Sequence, residues 1–167
     1  LTISGRQIQR VVNERAAEAA NWMSERPADP RIQPVEILTI QTDMTGIPMR
    51  TEDLVDILGK QPDGSAKTRQ IKVGCVFTQS QDSTGAFLRD PASTTYRSAF
   101  CDPVEFGSIL HAEALTRGFA TALKVVFIGD GADWIWNIAE DRFKGTVQIL
   151  DFYHACEHLF SLVQALE

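Results

Sequence analysis

The chain has 167 residues, with 16 Lys+Arg against 22 Asp+Glu, a formal net charge of −6, 44% hydrophobic and 23% charged residues. This is the composition of one folded globular domain; it excludes a disordered chain, a collagen-like repeat or a disulfide scaffold, and the acidic balance excludes a protein that coats nucleic acid by bulk charge. No apolar run approaches the roughly 20 residues that span a bilayer, and the N-terminus LTISGRQIQR lacks the apolar stretch of a secretory signal, so a cytoplasmic location is expected.

Residues 4–24 open the chain as a predicted amphipathic helix. Ser4 and Gln7 have capping-box spacing, and Ile8, Val11, Val12, Ala16, Ala19 and Ala20 follow at helical intervals. Pro27, Pro30 and Pro34 end it and form an extended connector, because proline removes backbone donors and disfavours helix in the residue before it. Residues 1–34 therefore read as a helix with its connector, and residues 35–167 as the main domain. The first residue is not Met, and the chain is expected to be a piece of something longer.

ILTIQTD (37–43) is a predicted buried strand ending in an acid, with TGIPM after it as a turn into a second short extended piece. Residues 51–70 form a polar insertion with a turn cluster at Pro62-Asp63-Gly64-Ser65. A basic loop of Lys60, Lys67, Arg69 and Lys72 surrounds it, of which Lys67 and Arg69 are the candidate phosphate contacts. IKVGCVFTQ (71–79) is the next strand, antiparallel to the first because the connections here are too short for crossover helices. Asp102 as N-cap, Pro103 at the first turn and Gly118 as C-terminal stop bound a helix over 103–118. KVVFIGD (124–130) and TVQILDF (146–152) are read as buried strands, each running into a helix. That strand–helix–strand–helix order implies parallel βαβ pairing.

Asp43, Asp130 and Asp151 each stand at or near the C-terminal end of an apolar strand, the edge where α/β sheets gather ligands and catalytic groups. Converging carboxylates suit Mg²⁺ or Mn²⁺, the ions that assist phosphoryl transfer. The plain alternative for each is a helix N-cap or turn residue. Asp151 and His154 stand three apart, as a backbone-binding pair or as support behind metal ligands. His154 and His158 have i, i+4 zinc spacing, but no third ligand lies nearby, and His158 reads as a surface residue. His111 reads as a satisfied buried histidine. Of Trp134 and Trp136, one reads as core and the other as core or a base-stacking ring. Cys75, Cys101 and Cys156 form no CxxC pair and read as reduced thiols.

TDMTGIPMR (42–50), GSAKTRQIKVGCVFTQ (64–79), FIGDGADWIWNIAEDRF (127–143) and QILDFYHACEHL (148–159), in that order, resemble the DDE transposases of bacterial insertion sequences. Within these the chain is most similar to the Kra-type family, a relative of the Mutator-like group. The resemblance covers the chain from about Val35 onward and is most specific over GDGA-x-WIWN and D-x-YHA. It implies an α/β, RNase H-like mixed sheet with flanking helices, behind the N-terminal helix. It also implies Mg²⁺ (or Mn²⁺), DNA strand cleavage and transfer, transposon ends and target DNA as partners, a homo-oligomer as an open option, and a nucleoid-associated bacterial protein. Asp43 and Asp130 match the first two metal-binding catalytic acids, and Asp151 with His154 the acid-x-x-His element. Met44 departs from the glycine expected there. The third acid, a Glu on a downstream helix, has no match; Glu140 and Glu157 are weak substitutes on helices directly after strands. The expectation is thus an incomplete catalytic domain without activity of its own. A metal-dependent nuclease on the same fold, or a non-catalytic remnant that only binds DNA or itself, are the rivals.

Overall fold

A computed structural model describes residues 4–25 and 35–166. The chain divides into two compact units, Leu1–Pro30 and Arg31–Glu167. Helix α1, Gly5–Glu25, represents the first, and the predicted capping box is present. The Gln7 N–H donates to Ser4 Oγ at 3.3 Å, and the Ser4 N–H donates to Gln7 Oε1 at 2.9 Å. The proline-rich connector lies outside the described residues.

The second unit runs β1 (Ile37–Pro48), β2 (Thr68–Gln81), β3 (Phe87–Arg89), β4 (Thr95–Ala99), α2 (Pro103–Thr116), β5 (Lys124–Gly129), α3 (Asp133–Arg142), β6 (Val147–Leu150) and α4 (Phe152–Leu166). The sheet order is β3-β2-β1-β5-β6, with β4 beside β3 on the same edge of β2. β1 to β4 pair antiparallel, whereas β5 lies parallel to β1 and β6 parallel to β5. This is an RNase H-like mixed sheet with flanking helices, the fold class that the sequence resemblance implies.

One face of the sheet is closed by α2 and α3. Leu38, Ile40, Val76 and Phe127 point to this side and meet Phe106, Leu110, Ile135, Ile138 and Phe143, all buried. Both ends of α2 form as the sequence predicts. Asp102 accepts from the Glu105 N–H at 2.9 Å. At the other end the N–H groups of Phe119 and Gly118 return to the carbonyls of Ala114 and Leu115, a Schellman closure around Gly118. Trp134 and Trp136 are half-buried and both pack on this core, Trp134 edge-on to Phe106 and Trp136 tilted against Phe127. His111 is half-buried between the rings of Phe119 and Phe143, each about perpendicular to it.

Three expectations are corrected. TGIPM is no turn: β1 continues to Pro48, and residues 44–48 pair in register with 68–72. Proline, which has no N–H to give a ladder, occupies the last paired position. Next, Lys72 leaves the expected basic loop. It belongs to β2, is buried, donates from Nζ to the Cys101 carbonyl at 2.7 Å and lies over the Trp134 ring. Finally, β6 is exposed at every residue, because it is the last strand in the order and among the described residues no other strand pairs beyond it. Leu159, Phe160, Leu162, Val163 and Leu166 of α4 are likewise exposed. No described helix is long and apolar enough to cross a membrane.

Candidate metal centre

Register brings the two predicted acids together. β1 and β5 are adjacent and parallel, paired from Ile37–Lys124 to Gln41–Ile128, so Asp43 and Asp130 each lie two residues beyond the last pair. Asp43 sits within β1, not at its end, since β1 extends past β5 along β2. Successive strand residues alternate between faces, so Asp43 lies on the face away from the α2 side chains. β6 and the start of α4 add the third group. The Asp151 N–H donates to the Gly129 carbonyl at 2.7 Å, which ties the beginning of α4 to the end of β5. One ligand atom each from Asp43, Asp130 and His154 then lies within 4.8 Å of the other two, and all three residues are half-buried.

Local backbone features hold each group. Asp130 Oδ1 accepts the Ala132 N–H at 2.8 Å, and Gly131 between them takes φ of 102°, which side chains with a Cβ rarely adopt. A Cβ on Gly129 would stand 2.4 Å from Ile135 Cγ2, so glycine there lets α3 close down directly behind Asp130. Asp151 is the N-cap of α4, accepting from the backbone N–H of Tyr153 at 2.9 Å and of His154 at 3.2 Å. The same Oδ1 is 3.4 Å from His154 Nδ1. The capping role and the supporting role of Asp151 are therefore one arrangement.

These contacts set the protonation of the pair. Backbone and ring hydrogen bonds from His154, with that from Tyr153, hold the Asp151 carboxyl below the usual carboxylate range. For His154, burial favours the neutral ring, but the bond to Asp151 and the charges of Asp43 and Asp130 outweigh it and raise its pKa above the ordinary imidazole value.

The donor set fits one divalent cation. Two ligands of a single Mg²⁺ or Mn²⁺ lie at most about 4.2–4.4 Å apart at metal–ligand distances near 2.1–2.2 Å, within a small side-chain rotation of the observed spread. Two carboxylates with an imidazole backed by a carboxylate are also a usual metal environment. The sequence reading assigns His154 a supporting place; in the structure its ring joins the cluster and Asp151 stands behind it. Asp151 is not in the cluster, nor, among the described residues, are Glu140, Glu157 and His158, which are exposed.

Lys67 and Arg69 sit apart from this centre, at the start of β2 and its preceding loop. Lys67 is exposed, and the Arg69 guanidinium lies 4.7 Å from the centre of the Phe100 ring. A cavity of about 450 Å³ adjoins Asp43 on the open face and is lined in part by Gln41, Val73, Cys75, Tyr96 and Ser98. Sequence reasoning passes over Tyr96 and Phe100, because only the pairing of β4 with β2 tells which side of the sheet they face.

No family model and no curated protein sequence matches this chain. Among solved structures, it is similar to the crystal structure of LC9-RNase H1, described as a type 1 RNase H with the type 2 active-site motif. The identity is 14% and the TM-score 0.33, over 72% of this chain and 65% of that one. The chain thus spans about two thirds of that structure's length.

Proposed function

We propose that this chain is the catalytic region of a metal-dependent enzyme acting on nucleic-acid phosphodiester bonds, and more narrowly a DDE-type DNA transposase of the Kra-type kind. The observation that carries this reading is the convergence of Asp43, Asp130 and His154 on one face of an RNase H-like sheet. When bound, a Mg²⁺ or Mn²⁺ ion supplies Lewis-acid polarisation and charge compensation at a phosphoryl group. Asp43 and Asp130 would hold it by carboxylate oxygen, and His154 by the ring nitrogen not facing Asp151.

The residues divide the remaining work. Asp43 is placed by the central strand of the sheet and Asp130 by the turn at Gly131, so both acids stand on rigid elements and need little reorganisation. Asp151 Oδ1 lies 3.4 Å from His154 Nδ1, and with the proton on Nδ1 the ring would offer Nε2 to a cation. With no cation present, the bond to Asp151 and the charges of Asp43 and Asp130 favour the protonated ring over burial, and in that form a proton must leave before the ring can serve as a ligand.

Titration calorimetry with Mn²⁺ on the native chain, Asp43→Asn, Asp130→Asn and His154→Ala tests the site; each substitution should abolish most of the heat. Equal heats in all four would overturn the reading. Incubation with labelled transposon-end and unrelated duplexes separates the remaining possibilities: joined products mark a transposase, hydrolysis alone a nuclease, and binding without either a catalytically silent DNA-binding module.

A further inference from the structure

The open face of the sheet carries more than the cation ligands. Directly paired residues on neighbouring strands share a face, so Asp43–Val73–Ser98 and Gln41–Cys75–Tyr96 form two successive rows across β1, β2 and β4. The 450 Å³ cavity spans both rows and has Asp43 in its wall. Its floor of Val73 and Cys75 is apolar and uncharged, because burial pushes the Cys75 thiol up. Tyr96 is 65% exposed at one side of it. Just past the end of β4, Phe100 is 43% exposed and carries the Arg69 guanidinium on its ring. Arg69 is on the open face by alternation with Val73, and so, therefore, is the Phe100 ring. At about 3.3 Å per residue, Tyr96 and Phe100 stand roughly 13 Å apart, on either side of the Ser98–Val73–Asp43 row.

Large rings left exposed on a strand bury little of their apolar surface within the fold, and aromatic faces beside a guanidinium are the components of a nucleobase platform. We propose that this face binds single-stranded nucleic acid, with one base on Tyr96 and another on the Phe100–Arg69 pair, so that the backbone between them crosses the Ser98–Val73–Asp43 row two strands from Asp43, on the face that carries the cluster. The proposal rests on the phosphodiester reading of that cluster and deepens it by naming the state of the substrate. Arg69 provides the positive charge that a phosphate chain needs beside an acidic cluster. Within a continuous duplex the base faces are already stacked on one another, so on a duplex substrate these rings would take the bases of a strand that has been unpaired beside the cluster. Stacking tolerates any base, so the surface holds a strand without reading its sequence.

Fluorescence anisotropy on the 167-residue chain, with Mn²⁺ present, tests this using labelled 12-mers of single-stranded DNA, single-stranded RNA and duplex DNA. The single strand should bind more tightly than the duplex, with the DNA and RNA arms showing which sugar is preferred. Tyr96→Ala and Phe100→Ala should each weaken single-strand binding about 5- to 100-fold, the cost of one lost stack, while Tyr96→Phe stays within about twofold. A 12-mer made abasic throughout should bind the native chain at least as weakly as the ordinary 12-mer binds Tyr96→Ala, and it should bind the native chain and the variant alike. Both rings are exposed, and equal urea midpoints would show that the variants fold. Single-strand binding unchanged in both alanine variants, or a preference for duplex, overturns this inference and leaves the cation site standing. A native chain that binds Mn²⁺ but none of the three oligonucleotides overturns the phosphodiester reading as well.

Discussion

Asp130→Asn tests the cluster by the sign of its effect on stability. Asparagine has the same shape, and its Oδ1 still accepts the Ala132 N–H, so the turn is kept; the loss is one negative charge within 4.8 Å of the Asp43 carboxylate. Two like unit charges at that separation repel by about 3.5 kcal/mol at an effective dielectric near 20. Both residues are half-open to solvent, and His154 attracts them whenever it is protonated, so about 1 kcal/mol should remain once the imidazole is neutral. In EDTA at about pH 8.5, therefore, Asp130→Asn should be more stable than the native chain. With a slope of about 2 kcal/mol/M, its urea midpoint should rise by about 0.5 M. At pH 6 the gain should shrink, because the variant also loses attraction to the imidazolium. Mn²⁺ at a hundred times its Kd stabilises the native chain by about 2.7 kcal/mol and should stabilise the variant little, so adding the ion inverts the order. A native chain more stable than Asp130→Asn in EDTA would refute the charge crowding, and a variant that keeps the full Mn²⁺ shift would refute Asp130 as a ligand.

Four further outcomes are expected. The raised His154 pKa means that the imidazolium contributes stability that is fully present below the ordinary value of 6.5 and lost as pH rises through the folded value; Mn²⁺ affinity should climb over that same interval with release of a proton, and a flat profile would remove His154 from the ligands. Asp151→Asn keeps a competent N-cap but loses the charge behind the ring, so His154 should titrate at lower pH by NMR and Mn²⁺ should bind about 10- to 100-fold more weakly. Gly129→Ala sets a methyl against buried Ile135 and should cost about 1–3 kcal/mol in urea denaturation, with the loss largely relieved in an Ile135→Ala background. Lys67→Ala and Arg69→Ala should each lower the slope of log affinity for DNA against log salt by about one unit, and an unchanged slope would remove that residue from the phosphate contacts.

What the sequence determined by itself is local. Ser4 with Gln7, and Asp102-Pro103 with Gly118, carry their helix-end chemistry within a few residues, and both ends form as read. The apolar runs at 37–43 and 124–130 announce central strands, and the acids that follow them mark Asp43 and Asp130 as candidates. Only the tertiary structure decided what those residues meet. Gly46 and Pro48 read as a turn, yet the long partner strand β2 offers a ladder that carries β1 through them. Lys72 and Arg69 are both basic in sequence, but they are an odd number of positions apart along β2, so one points into the Trp134 core and the other onto the open face. Likewise the apolar run of β6 indicates burial, but its place as the last strand leaves it exposed. His154 enters the cluster through the bond between Asp151 and Gly129, which joins strand ends about twenty residues apart. A strand has a side-chain period of two, so its own sequence can mark alternate residues as a set; which face that set lines, and which carboxylate stands opposite, depends on the register of neighbours that the local sequence does not contain.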